Sequence, residues 1–202
     1  MNLPIMSRAA RAALITTAAA LSLGCAGPGP APSPGASTRP AAAAPAPLQP
    51  IARLDLPRYL GRWHELARYP NRFQRQCTGA ATADYARRPS GTLQVINRCP
   101  QADGRVDEAI GEARLVGPEG AATLQVRFAP AWLGFLPQVW GDYWVVELDA
   151  DYQLAVVSEP TREYLWVLSR QPSLPAADWP ALTARLQALG FEPARLIRSA
   201  GP

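Results

Sequence analysis

The chain has no lysine and only one histidine, His64, among its 202 residues. All 20 of its basic side chains are therefore arginines, and they are scattered along the sequence. With no basic stripe, nucleic acid is a poor partner for it. One histidine and three cysteines, Cys25, Cys77 and Cys99, give no ligand cluster for a metal. Beyond the first two dozen residues there is no apolar run of the roughly 20 residues that a membrane-spanning helix needs. Nucleophile elbows, glycine-rich phosphate loops and metal-ligand spacings are also missing. His64 and Glu65 are adjacent on an expected strand, so they point to opposite faces and make a poor acid–base pair. These absences weigh against an enzyme and predict a non-catalytic protein without a metal or cofactor.

The N-terminus carries Arg8 and Arg11, then an uncharged apolar run from Ala12 to Leu23. This is the pattern of a bacterial export signal. Leu21-Ser22-Leu23-Gly24-Cys25 resembles a lipobox, although Ser22 stands where leucine is usual. That resemblance implies cleavage before Cys25 and acylation of the new terminus, and several acyl chains at about 0.8 kcal/mol per methylene would anchor the protein permanently. Ala26 follows the cysteine; by similarity to sorted lipoproteins this implies the outer membrane, with the domain facing the periplasm. The expected boundaries are a signal peptide at 1–24, a lipidated Pro/Ala-rich tether at 25–50 and one folded domain at 51–202. The tether has no core-forming pattern and cannot repay its ordering entropy. Losing Arg8 and Arg11 leaves 18 arginines against 16 carboxylates, a net charge of +2.

About 150 residues remain, enough for a single substantial core. Eight stretches bounded by turn residues read as strands: Arg62 to Tyr69, Cys77 to Ala86, Thr92 to Cys99, Ala109 to Val116, Ala122 to Phe128, Asp142 to Leu148, Gln153 to Ser158 and Glu163 to Ser169. Their even spacing predicts an all-β, up-and-down antiparallel barrel, and eight strands enclose room for one small ligand. Leu124, Val126 and Phe128 alternate with polar residues and mark an inner face. In Tyr143-Trp144-Val145-Val146 both faces are apolar, so periodicity assigns neither. Ala176 to Leu189 reads as a C-terminal helix packed on the outside, with Trp179, Leu182, Leu186 and Leu189 as its buried stripe. Gly190 is placed to stop it, with Phe191 packing back.

Gly61 and Trp63, Asp149 to Tyr152, and Arg170 resemble, in order, the three signatures of the lipocalin family, and more closely its bacterial lipoprotein and apolipoprotein D branch. The resemblance spans Leu54 to Ile197. It implies a closed floor built from Gly61, Trp63, Asp149, Tyr152 and Arg170, with Arg170 stacked on Trp63 and able to serve the indole N–H. In an up-and-down barrel these sites all fall at one end, while Cys77 and Cys99 fall together at the other. An oxidising compartment then predicts their pairing, worth about 3 kcal/mol in the loop-entropy description.

At the open end lies an apolar loop containing Trp132, Phe135 and Trp140. Exposed apolar patches usually mark contacts. Three readings stay open for it: a lid folded on its own core, a portal or membrane-touching edge, and a homodimer contact. Arg72 and Arg75 share this mouth and could meet an anionic head group. Ala67, Tyr69, Leu124, Val126, Phe128 and Val146 are the expected lumen wall. The family resemblance implies a lipid-anchored carrier or store of fatty acids or lysophospholipids in the bacterial envelope. Two alternatives are an interaction module with a filled barrel, and a haem or pigment binder using His64.

Overall fold

Residues 45–199 are described by the structure, a computed structural model. The export signal, Cys25 and most of the tether lie outside the described residues. A four-residue helix α1 (Leu56–Tyr59) precedes eight strands, β1 (Gly61–Arg68), β2 (Thr82–Arg87), β3 (Leu93–Pro100), β4 (Val106–Leu115), β5 (Thr123–Arg127), β6 (Gly141–Leu148), β7 (Leu154–Ser158) and β8 (Leu165–Ser169). Helix α2 (Trp179–Ala188) and a two-residue strand β9 (Ile197–Arg198) follow. Each strand from β1 to β8 pairs antiparallel with the next, and β8 pairs with β1, closing the barrel. Strand β2 begins at Thr82 and not at Cys77, because residues 69–81 form a long loop. Strand β9, which periodicity did not reveal, pairs with β1 at Ala67 and Arg68, beyond the stretch of β1 that β2 covers.

Two apolar clusters hold the fold. One lines the lumen with Trp63, Tyr85, Leu93, Val95, Leu124, Val145, Val157 and Leu168. The other lies between the outer wall and α2 and includes Leu66, Val156, Val167, Leu182 and Leu186. The helix ends as its sequence predicts: Gly190 takes φ +84°, its N–H meets the Gln187 carbonyl at 2.9 Å, and the Phe191 N–H meets that of Leu186 at 2.9 Å. This pairing satisfies carbonyls that the last helical turn would otherwise leave open.

Two irregularities decide which residues face inward. Strand β1 shifts register between Glu65 and Ala67, and β6 between Val145 and Glu147. At each, an extra residue breaks the alternation of faces. Leu66 and Ala67 both end on the outer side, as do Val146 and Glu147, whose carboxylate meets Arg185 of α2 at 2.5 Å.

The packed chain also starts earlier than the expected boundary at residue 51. Arg162 donates to the Ala46 carbonyl at 2.6 Å, and Leu48 is buried in the outer cluster. Ile51 donates to the Val145 carbonyl at 2.9 Å and Leu54 to that of Gly120 at 2.8 Å. Leu48 supplies the apolar anchor that the Pro/Ala-rich composition around it disguised. Among the described residues, no helix is long and apolar enough to cross a membrane.

Candidate functional site: floor, lumen and mouth of the barrel

The floor gathers the three sequence signatures. Gly61 adopts φ +92°, and a Cβ there would sit 3.5 Å from Arg170 Nη1. Trp63 is completely buried, and its indole N–H donates to the Tyr59 carbonyl at 2.8 Å. This corrects the expected role of Arg170: a guanidinium has only donors and cannot receive the indole proton. Instead Arg170 lies over the Trp63 ring, 3.9 Å from its centre, and donates to the carbonyls of Arg62 at 2.7 Å and of Arg58 and Leu60 at 2.8 Å. Asp149 accepts the backbone N–H groups of Gln153 at 2.7 Å and Leu154 at 2.5 Å, closing the hairpin between β6 and β7. Tyr152, in the left-handed region at φ +60°, accepts the Asp55 N–H at 2.9 Å through its hydroxyl. The hairpin is thereby tied to the start of α1.

Above the floor, three tyrosines fill the lower lumen. The Tyr143 hydroxyl lies 2.7 Å from that of Tyr59 and 2.9 Å from that of Tyr85. All three are buried. Removal from water raises their pKa values, Tyr85 being pushed up to about 12 and Tyr59 and Tyr143 well above the usual tyrosine range.

Of the six expected wall residues, Leu124, Val126 and Phe128 take the inner face. Leu124 is in the lumen cluster, Val126 packs against it, and Phe128 leans over Gly111 near the rim. Ala67, Tyr69 and Val146 do not face the lumen. They belong to the cluster under α2, where Tyr69 packs edge-on against Phe191 at 6.1 Å. The β1 bulge turns Ala67 and Tyr69 outward. Val146 follows from simple alternation once Tyr143 is known to face in. His64 pairs across to Ser169 and Thr82 on the outer face, away from the lumen, so it cannot ligate a pigment held there.

Sequence reasoning missed an inward polar network in the upper lumen. Glu65 and Arg68 would point to opposite faces of a regular strand, but the bulge brings them together at 2.8 Å, both buried. Gln74 donates to Glu65 at 2.5 Å and accepts from the Trp166 indole at 2.9 Å, pinning the loop between β1 and β2 to the wall. The neighbouring inner positions are small or partly open. Ala83, Asn97 and Ala109 share one row, and Ala109 is exposed.

At the mouth, Cys77 and Cys99 form a disulfide with Cα atoms 5.5 Å apart. A hollow of about 660 Å³ opens beside it, lined by Arg68, Asn71, Arg72, Arg75, Glu163 and Tyr164 among others. Arg68 is spoken for by Glu65, whereas Arg72 and Arg75 have no ion-pair partner among the described residues. The apolar loop between β5 and β6 splits in two. Trp140 folds back on the outer wall, 4.1 Å from the Arg114 guanidinium and 5.1 Å from that of Arg127, and its N–H donates to the Gly134 carbonyl at 2.8 Å. Trp132 and Phe135 stay 73% and 77% exposed. The loop is therefore not a lid closed on its own core.

Residues 54–201 match the family described as a lipocalin-like domain. The chain is 34% identical over 154 residues to temperature-induced lipocalin-1 of Arabidopsis thaliana, covering 75% of this chain and 82% of that protein. It is 36% identical over 148 residues to the outer membrane lipoprotein Blc of Escherichia coli, covering 73% of this chain and 79% of that one. In fold it is similar to insecticyanin of the tobacco hornworm Manduca sexta, with a TM-score of 0.58 at 17% identity over 77% of this chain and 85% of the other.

Proposed function

The chain belongs to the lipocalin family, a family of small hydrophobic ligand binders, and from that premise we propose a lipid-anchored envelope protein that binds and stores or transports fatty acids or lysophospholipids. The observation that carries this reading is a lumen divided by height. Tyr59, Tyr85, Tyr143 and Trp63 occupy its lower part, while Val126, Phe128 and Ala109 leave apolar, solvent-reached wall above them. The hollow of Arg72 and Arg75 opens at the same end of the barrel, against the connections that follow β1 and β7. A single-chain lipid fits the arrangement, its tail in the upper lumen and its anionic group within reach of unpaired guanidinium groups. Burial at about 25 cal/mol per Å² of apolar area supplies the driving force, reduced by the cost of association. An outer-membrane location is supported by the likeness to outer membrane lipoprotein Blc and by the lipobox at Cys25.

The test is native mass spectrometry of the chain beginning at Ala26, incubated with a panel of fatty acids and lysophospholipids. Saturable one-to-one adducts that disappear in Val126→Trp, with melting temperature retained, are the expected result. A folded protein without adducts would overturn the reading. It would favour a filled barrel serving as an interaction module, the alternative that the tyrosine-packed lower lumen supports.

A further inference from the structure

Four connections lie at the mouth end: residues 69–81 between β1 and β2, 101–105 between β3 and β4, 128–140 between β5 and β6, and 159–164 between β7 and β8. Around the ring of strands the first and third of these stand on opposite sides of the opening, as two lips. One lip presents Trp132 and Phe135, 73% and 77% exposed. The other presents Phe73, 56% exposed, with the Arg72 guanidinium 4.9 Å from its ring and Arg75 nearby. Both lips are tied to the barrel: Trp140 lies near the Arg114 and Arg127 guanidinium groups and donates to the Gly134 carbonyl, and Phe73 leans on Tyr164 at 5.8 Å.

The path of the N-terminal segment bears on what faces these lips. Ala46 is bonded to Arg162 in the hairpin between β7 and β8, and a Cβ on Gly190 would meet Pro45 at 2.9 Å. The chain then passes Val145 and reaches Gly120, in the connection between β4 and β5 at the floor end, before entering α1. The described chain therefore begins at the mouth end. Nineteen residues separate Cys25 from Pro45. A chain of that length can reach at most about 60 Å at roughly 3.1 Å per residue, which is enough for the mouth to meet a membrane that holds Cys25.

We propose that the mouth face is a docking surface for an anionic lipid bilayer, with Trp132, Phe135 and Phe73 entering the interfacial layer and Arg72 and Arg75 meeting lipid phosphates. Aromatic rings favour that layer, and each basic residue near an anionic surface adds to attraction. Among the described residues, Glu163 is the one carboxylate lining the adjoining hollow, against Arg72 and Arg75, which have no ion-pair partner among them. In this posture the lumen opens onto the membrane, so a single-chain lipid passes between bilayer and barrel without crossing water. This last consequence and the anchoring at Cys25 rest on the proposed function; the exposed rings and arginines of the mouth do not.

Two experiments test it. The mature lipidated protein is reconstituted into phosphatidylglycerol-containing vesicles carrying brominated acyl chains, and tryptophan quenching and hydrogen exchange are followed. Quenching that falls in Trp132→Phe, with slowed exchange at residues 131–136 and 72–76, is expected. Unchanged exchange at both lips, or quenching indifferent to Trp132→Phe, overturns the proposal. So does protection that appears without lipid and grows with protein concentration, since the occupant is then a second copy. Separately, the unlipidated chain from Ala26 is partitioned between buffer and vesicles. Arg72→Gln and Arg75→Gln should each lower binding to phosphatidylglycerol vesicles about fivefold, with little effect on phosphatidylcholine. If both variants bind the anionic vesicles like the parent, the arginine part of the proposal fails. Retention of one-to-one lipid adducts by Trp132→Phe separates failure of docking from failure of ligand binding.

Discussion

Arg170 lies over Trp63, 3.9 Å from the centre of the indole, and donates to the four carbonyls of Arg58, Tyr59, Leu60 and Arg62 around the turn between α1 and β1. One side chain just beyond β8 thus closes the entrance to β1. Arg170→Ala should lower stability by about 2–4 kcal/mol, through lost charge-assisted bonds and an uncovered ring. Arg170→Lys, a point charge unable to span the same carbonyls, should fall in between. Urea denaturation checks the order, and lipid binding to the folded fraction should change little.

The tyrosine cluster makes stability sensitive to alkali. Its hydroxyls are held neutral, so the folded-state pKa values lie above those of the unfolded chain. The corresponding stability is complete below the unfolded value of about 10 and is lost as pH rises through the folded values, about 12 for Tyr85. Chemical denaturation from roughly pH 9 to 12 should show the decline, with part of the tyrosine absorbance titrating only on unfolding. Tyr143→Phe removes the central hydroxyl and leaves the two outer ones without their partner, at about 1–3 kcal/mol.

Glu65 and Arg68 form a buried ion pair, so single substitutions should be worse than the double one. Glu65→Leu leaves the Arg68 charge buried without its carboxylate, at about 3–5 kcal/mol. Glu65→Leu combined with Arg68→Met should recover much of that loss. A thermal-melt double-mutant cycle reads the coupling, and equal, additive losses would contradict the pairing.

Reduction of the Cys77–Cys99 bridge, which closes a sequence separation of 22 residues, should cost about 3 kcal/mol. Hydrogen exchange should quicken in the loop between β1 and β2 while the floor around Trp63 keeps its protection. Melts with and without a reductant, together with local exchange rates, test both parts.

The sequence carried the barrel, the outer helix and the three floor signatures, because strand spacing, the leucine stripe of α2 and the order of Gly61, Trp63, Asp149 and Arg170 are all local patterns. Face assignment was legible only in regular strands. Leu124, Val126 and Phe128 alternate cleanly and face in; Ala67 and Tyr69 would follow from the same rule, but one extra residue in β1 reverses it. No local sequence signal marks that bulge. The partner of the Trp63 N–H was missed for a different reason: α1 is four residues long, too short for periodicity, and it is its last residue, Tyr59, that supplies the carbonyl.

The segment from Ala46 to Leu54 lies lengthwise along the barrel, fixed at Ala46, Leu48, Ile51 and Leu54. Mechanically, a pull on Pro45 directed out past the mouth acts along this segment, and its fastenings share the load in shear. A sideways pull would strip them one after another, beginning with the bond from Arg162. Tension along the barrel axis is thus the direction in which the strap is strongest, and the closed sheet is strained only after the strap has yielded.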